Sequence, residues 1–320
     1  MNKQKTLAFV LRPSFTILSF ILISIIVGSV MSPYFLDLWY LLNSTTIYAE
    51  LGIIALAFTL LMIAGEIDLS IASTMTLSAC VISRMYEAGL PMGLLIPVAL
   101  IIGSFLGAIN GLIVTKTRLP SLIVTLGTMS LYRGIAQVLI GDKSVSGFPK
   151  WFVGIDNKYF LKIIPVPLLI LIVFAILFEL LLTKTFYGRK LISVGLNSNA
   201  ATYSLVHVDK YKVELFVLVG LFSAVAGVFS MSRLHLAKYN IGIGGELDVI
   251  TMVLLGGTAF EGGRGSTLGT AGAFFIIVFV RTAMMLRNMS NHAQMAVVGG
   301  LLIVVLMLSS LIESIRNKFC

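Results

Sequence analysis

The sequence predicts an all-α, polytopic membrane protein of about ten transmembrane helices, with both termini inside. Three observations predict it. Of the 320 residues, 58% are hydrophobic and 12% are charged, whereas soluble domains hold roughly 45–50% apolar and about 25% charged residues. Mean hydropathy is +1.02, an excess that a soluble core cannot absorb while still leaving a wetted polar surface. Charge-poor runs of about 20 residues recur along the chain, each the length of a bilayer crossing. Disorder, collagen and disulfide scaffolds are excluded. Cys80 lies in an apolar run and Cys320 ends the sequence, so no structural disulfide is expected. The net charge of +9 fits Lys and Arg in short inner loops better than nucleic-acid binding.

The spans are placed in chain order. Lys3, Lys5 and Arg12 precede an uncharged stretch from Pro13 to Leu36, too long for a signal-peptide core and without a small-residue cleavage site. It reads as a retained first span, Ser14–Met31, entered from inside. Thr46–Ala64, Leu69–Ser83, Pro91–Thr115, Ser121–Ile140 and Ile163–Leu182 follow. Val213–Met231, Val249–Ala259, Thr267–Leu286 and Ala293–Leu311 complete the ten. Spans three and eight are short and interrupted by polar residues. Ten crossings return the C-terminus, with Arg316 and Lys318, to the inside. Lys and Arg then fall more often in inner than in outer segments, as the positive-inside rule requires.

Two connections exceed a tight turn. The outer segment Gly141–Lys162 carries Phe148, Trp151, Phe152 and Tyr159. It is expected to lie along the membrane interface, with contact to an external partner as the alternative. The inner segment Thr183–Lys212 is long enough for one or two short helices. Its run from Asn197 to Tyr203 has helix-start chemistry, with Asn or Ser as a cap before small residues. Lys210 and Lys212 are expected to face lipid head groups, and a plain solvated loop is the competing reading.

A short pattern repeats at residues 65–69 (Gly-Glu-Ile-Asp-Leu) and 245–249 (Gly-Glu-Leu-Asp-Val). The copies fall on opposite sides of the membrane in this topology. That is the mark of an inverted repeat, here spans two to five against spans seven to ten, and such repeats enclose midplane transport sites. A second echo, residues 125–128 with 267–270, is out of register with the first.

Glu66, Asp68, Glu246 and Asp248 sit beside apolar helices, where carboxylates are costly and often line a pathway. The plainer role is capping, by Asp68 at span three and Asp248 at span eight. The starts of these spans add Ser70, Ser73 and Thr251 to the candidate pathway. Gly103, Gly107 and Gly111 form a small-xxx-small stripe for close helix packing. The glycine cluster at residues 254–270 lacks the Lys that a phosphate-binding loop needs after its glycine. His207, His235 and His292 lack metal-pair spacing. Arg133 and Arg281 lie within spans; Arg133 is expected to reach the interface or pair with a carboxylate, an ion pathway being the minor alternative. No catalytic grouping is legible, so neither enzyme activity nor a cofactor is expected.

Residues 65–73 (GEIDLSIAS), the Thr125-Leu-Gly-Thr-Met segment, residues 188–213 and residues 244–270 together resemble the membrane permease subunit of ribose-type carbohydrate ABC importers. That family also serves xylose, arabinose, galactosides, rhamnose and autoinducer-2. The likeness runs in order over roughly residues 14 to 312, and the 244–270 block is its most specific part. It implies a single permease domain over residues 1–320, with residues 183–212 as its cytoplasmic coupling loop, in a bacterial inner membrane. It also implies a second permease subunit (identical or a paired homologue), a cytoplasmic ATPase that binds the ATP, and an external sugar-binding protein. The family's inner-loop pattern G-x-N-x-x-A-A falls on Gly195, Asn197, Ala200 and Ala201, with Thr202 and Ser204 beside them as ATPase contacts. Two departures stand out: Ser204 is followed by Leu205 rather than Gly, and Glu66 and Ala72 replace glycines. The rival functional class is an ion-gradient-driven secondary transporter of a small polar solute. A membrane-embedded enzyme and a passive channel are further rivals.

Overall fold

The computed structural model describes residues 13–155, 158–160 and 163–319, with side chains over 18–155, 158–160 and 163–307. The expected inner charges Lys3, Lys5 and Arg12, the outer Lys162, and the side chains of Arg316 and Lys318 lie outside these. Thirteen α-helices and four two-residue strands form the described chain. The first five helices are α1 (Pro13–Met31), α2 (Leu38–Ile63), α3 (Ile71–Glu87), α4 (Met92–Thr117) and α5 (Ser121–Ile140). Then come α6 (Lys150–Val153), α7 (Val166–Lys184), α8 (Phe186–Leu196), α9 (Ser198–Tyr203) and α10 (Val208–Leu234). The last are α11 (Gly245–Leu255), α12 (Thr267–Leu286) and α13 (Asn291–Phe319).

Each segment expected to span the membrane contains a helix. The eighth, Val249–Ala259, is helical only to Leu255, its helix starting at Gly245, and the sixth begins as a helix at Val166 rather than Ile163. Six helices, α2, α4, α5, α7, α10 and α12, are long and apolar enough to cross. Shorter apolar helical stretches occupy Leu18–Met31 and Asn291–Met307, and α3 and α11 are short, as their polar interruptions suggested. The helix α2 starts eight residues before the expected Thr46, because the Asp37 carboxylate caps it, accepting the N–H groups of Trp39 at 2.9 Å and Tyr40 at 3.2 Å.

Helix α2 is the axis of the bundle, buried without interruption from Ala49 to Ile63, as expected of a helix enclosed by others rather than by lipid. Helix α10 packs on both α2 and α4. The α4–α10 contact uses the glycine stripe: a Cβ at Gly103 or Gly107 would overlap the carbonyl oxygens of Gly220 or Phe216. Only bare backbone allows helices this close.

Two segments show detail that the sequence did not. The aromatic loop after α5 folds onto the end of the bundle. Its strand Val145–Ser146 pairs with Leu236–Ala237, Phe148 and Phe152 are buried, and Ser232 Oγ donates to the Phe152 carbonyl at 2.7 Å. The large apolar rings find a hollow beside Tyr86, and Trp151 alone of the three stays exposed. The repeated pentapeptides also differ locally. Residues 65–69 form a non-helical turn beginning at Gly65 (φ +81°), whereas residues 245–249 are the first turn of α11, set off by Gly244 at φ +83°.

Candidate translocation and coupling sites

At one end of the bundle, three backbones meet. The Gly263 N–H donates to the carbonyl of Ile63, where α2 ends, at 2.8 Å. A Cβ on Gly195, near the end of α8, would overlap that same carbonyl and lie 2.5 Å from the Gly263 nitrogen. A Cβ on Gly262 would lie 2.8 Å from the Gly65 nitrogen. The glycine cluster that lacked phosphate-loop chemistry is thus a joint between the α2–α3 turn, the α11–α12 loop and α8.

The helices α8 and α9 sit on this joint. Thr185 Oγ1 accepts the Gly188 N–H at 3.2 Å, and Asn197 Oδ1 accepts the Ala200 N–H at 3.0 Å, each capping a helix start. Ala200, Thr202 and Ser204 are exposed, and so are Tyr203 and Leu205, at 90% and 87%. The hydroxyls of Thr202 and Ser204 bond back to the Ser198 and Ala200 carbonyls. Ala201 is 3% exposed and belongs to the chain's own apolar core. The expectation that Ala200 and Ala201 together present a docking face is therefore corrected: helical spacing turns adjacent residues about 100° apart, so one faces out and the other in. Lys212 is also placed differently. Its Nζ lies 2.5 Å from Glu66 Oε1 instead of facing head groups, while Lys210 is 3.8 Å from Glu214. Burial and the Glu214 carboxylate push the Tyr187 hydroxyl above its usual range.

Beside the joint lies a pocket of about 510 Å³, lined by Glu66, Arg118, Ser121, Asp209, Lys212 and Glu261 among others. The α2–α3 turn above it is held by polar side chains. Asp68 Oδ1 accepts the Ser70 N–H at 2.7 Å and its hydroxyl at 2.6 Å, close to the expected capping role. Asn110 Nδ2 donates to Ser70 Oγ at 2.8 Å, Tyr132 reaches Asn110 Oδ1 at 3.3 Å, and Ser121 and Thr125 accept the N–H groups of Ile67 and Leu69, each at 3.1 Å. These partners satisfy backbone groups that a break in a membrane helix leaves open.

A second pocket, of about 330 Å³, opens near the other end of α2, lined by Tyr48, Glu50, Arg233, Asp248, Arg281 and Asn291 with the backbone of residues 241–245. Two ion pairs cross it. Arg233 Nη2 and Nε donate to the two Glu50 oxygens at 2.5 and 3.2 Å, and Arg281 Nη2 donates to both Asp248 oxygens at 2.6 and 2.8 Å. Asp248 is thus not the cap of α11, which starts at Gly245 after Gly244 and has no side-chain cap; the buried guanidinium outcompetes backbone N–H groups for the carboxylate. Arg133 forms no salt bridge among the described residues, although the Glu246 carboxylate is near enough to act on it electrostatically. Its Nη1 donates to the carbonyls of Tyr239 (3.0 Å) and Ile241 (2.8 Å) and to Thr76 Oγ1 at 3.2 Å. Glu246 Oε2 is buried and has no hydrogen-bond partner among the described residues.

Ser70, Ser73 and Thr251 are fully buried. Ser73 bonds to the Ser70 carbonyl at 2.8 Å and Thr251 to the Leu247 carbonyl at 2.6 Å. Neither Ser70 nor Ser73 lines either pocket, but along the chain both fall between Ile67, which lines the larger pocket, and Met75, which lines the smaller. The sequence reading missed Glu50, Tyr48 and Arg233. A signal for Glu50 existed, because it is a carboxylate inside an otherwise apolar run.

Residues 40–306 match the family described as the branched-chain amino acid transport system permease component. The chain belongs to this permease family. It is 36% identical over 276 residues to the autoinducer 2 import system permease protein LsrD of Yersinia enterocolitica, covering 84% of this chain and 83% of that protein. The protein of the same name from Escherichia coli SMS-3-5 is 34% identical over 291 residues, 89% of this chain and 88% of its own; the Shigella flexneri protein gives the same figures. No solved structure matches. The resemblance to ribose-type ABC importer permeases is borne out: the chain is a multi-pass membrane permease subunit, of a transporter family and not an enzyme family.

Proposed function

We propose that this permease carries a sugar-like, uncharged solute into the cell, driven by an ATPase that docks on α8 and α9 and supplied by an external binding protein. The observation that carries this reading is the joint of Ile63, Gly263 and Gly195. A push on α8 there meets the ends of two segments, 64–70 and 256–266, that adjoin the short helices α3 and α11, without an intervening flexible side chain. Gly195, Asn197, Ala200, Thr202 and Ser204 form the coupling site, with Ala201 anchoring it from within. The chain itself needs no cofactor, because the ATPase binds the nucleotide.

The full topology belongs to this proposal: ten crossings, both termini inside, in the inner membrane, with a second permease subunit alongside. The packing supports the inverted repeat. Helix α3 packs on α4, α5 and α10, and α11 packs on α12, α13 and α2, the set obtained by exchanging the two halves. The pathway runs past the two pockets, with Glu66 at one and Asp248 at the other. Asp68, Ser70, Ser73, Glu246 and Thr251 line it when the wall between them opens. The relatives named for autoinducer 2 import favour a small polyhydroxylated solute.

Proteoliposome uptake tests the reading. Uptake of a sugar that requires the ATPase and ATP, and that is indifferent to protonophores, is the expected result. Uptake that follows an ion gradient without the ATPase would instead establish the secondary-transporter class.

A further inference from the structure

We propose that the 330 Å³ pocket is a solute site built within a single subunit, and that it takes an uncharged vicinal diol of monosaccharide size. The proposal rests on the permease reading and adds to it a binding site with a stated ligand chemistry.

Five helices deliver polar groups to this pocket: Tyr48 and Glu50 from α2, Arg233 from α10, Asp248 from α11, Arg281 from α12 and Asn291 from α13. So many charged groups converging inside an apolar bundle mark a functional site rather than packing. The two carboxylates and two guanidiniums balance, so the pocket holds no net field for an ion. Both pairs are closed. A zwitterionic amino acid would bring two further charges out of water into a pocket whose own charges are already paired, at a desolvation cost.

An uncharged diol meets the same groups without splitting them. Carboxylate oxygens accept more than one hydrogen bond, and a hydroxyl both donates and accepts. One hydroxyl of a diol donates to Asp248 while its neighbour accepts from Arg281. Arg281 is 4% exposed and contributes to the pocket wall beside its partner Asp248. The Tyr48 ring also lines the pocket and carries the Arg281 guanidinium over it, 5.5 Å from its centroid, which helps fix the direction of the guanidinium.

The wall opposite is backbone. Gly242 and Gly244 have φ of +74° and +83°, and the Arg133 bonds to Tyr239 and Ile241 hold this strap in place. The volume lies at the small end of ligand pockets, which run about 300–1,000 Å³, and so fits one small sugar ring. Transport requires release, so affinity on the order of 1 mM is expected.

The test uses full-length permease with its ATPase in lipid nanodiscs, without the external binding protein. Saturation-transfer NMR reads binding of D-ribose, D-xylose and L-rhamnose, with leucine as competitor. At least one sugar is expected to give a saturable signal that leucine leaves unchanged. Asn291→Leu and Tyr48→Ala, neither in an ion pair, are expected to weaken it about tenfold, equivalent to about 1.4 kcal/mol, Asn291→Leu with an unchanged melting temperature. No saturable signal from any of the three sugars, displacement by leucine, or wild-type binding in both variants would each overturn the site. Uptake by the complete transporter, measured alongside, separates the two claims. Sugar uptake without nanodisc binding removes the pocket alone, and failure of uptake for every sugar removes the sugar-import reading.

Discussion

The backbone N–H of Gly263 donates to the carbonyl of Ile63 at 2.8 Å, and no side chain stands between this bond and Gly195 of α8. A methyl group is therefore enough to disturb it. Gly195→Ala is expected to lower ATP-dependent uptake at least about tenfold while the protein still inserts and still co-purifies with its ATPase. Overpacking of this kind costs about 1–3 kcal/mol, which a long bundle tolerates but a tight joint does not. Uptake near wild type, at matched membrane levels, would show that movement does not pass through this contact.

The pair of Asp248 and Arg281 gives a second expectation. Both residues are buried, so removing one leaves the other as an uncompensated charge, at about 3–5 kcal/mol. Arg281→Met should lower the melting temperature of the detergent-purified protein strongly. Arg281→Met with Asp248→Leu should restore much of the loss, because neither member of the pair is then left as an unpaired charge. A double variant less stable than the single would mean that the pair contributes more than mutual neutralisation.

Glu179 shows how a helix can be capped from its neighbour. Its Oε2, on α7, accepts the N–H groups of Thr267 at 2.8 Å and Leu268 at 3.2 Å, and the Ser266 hydroxyl at 3.0 Å. The carboxylate thus meets both the open donors and the positive end of α12. Glu179→Ala is expected to cost about 1–2 kcal/mol and Glu179→Gln less, since an acceptor oxygen remains. Thermal unfolding of the three proteins checks the order; equal stability of all three would assign the capping to Ser266 alone, which accepts the Gly269 N–H at 3.1 Å.

What the sequence made legible follows the bilayer. A crossing fixes the length and apolarity of a helix, so the residues of α5 and α12 were readable to their ends, and the stripe of Gly103 and Gly107 announced its close contact. Side-chain partners were not readable. Glu50 and Arg233 lie 183 positions apart, and nothing local in either stretch says which helix faces which. Asp248 could be assigned a cap from its neighbours, but the competing Arg281 is 33 residues away. The turn chemistry of Asp68 was recoverable because its partner, Ser70, is two residues on. Small residues were ambiguous for a different reason: they suit docking onto a partner and packing into the chain's own bundle equally well.

That ambiguity at Ala201 decides the last prediction. Ala201 is buried in the chain's own core, while Tyr203 and Leu205 stand almost fully exposed two and four positions on. Leu205 does so with φ of +59°, a conformation that a branched side chain adopts at a cost. An exposed Leu held in that conformation, beside an exposed Tyr, is unfavourable for a surface that only meets water, and it suits one that a partner covers. Tyr203→Glu and Leu205→Glu should therefore leave the melting temperature of the permease unchanged, abolish co-purification of the ATPase and abolish uptake. Ala201→Glu should act differently, because it drives a carboxylate into the apolar contact beneath α9. It should lower the melting temperature and the amount of folded protein in the membrane, and coupling should fail for that reason. If Ala201→Glu is as stable as wild type and loses only the ATPase, then α9 presents its Ala201 side to the partner and turns over on docking. If Tyr203→Glu and Leu205→Glu both retain the ATPase, the docking face lies elsewhere on α8.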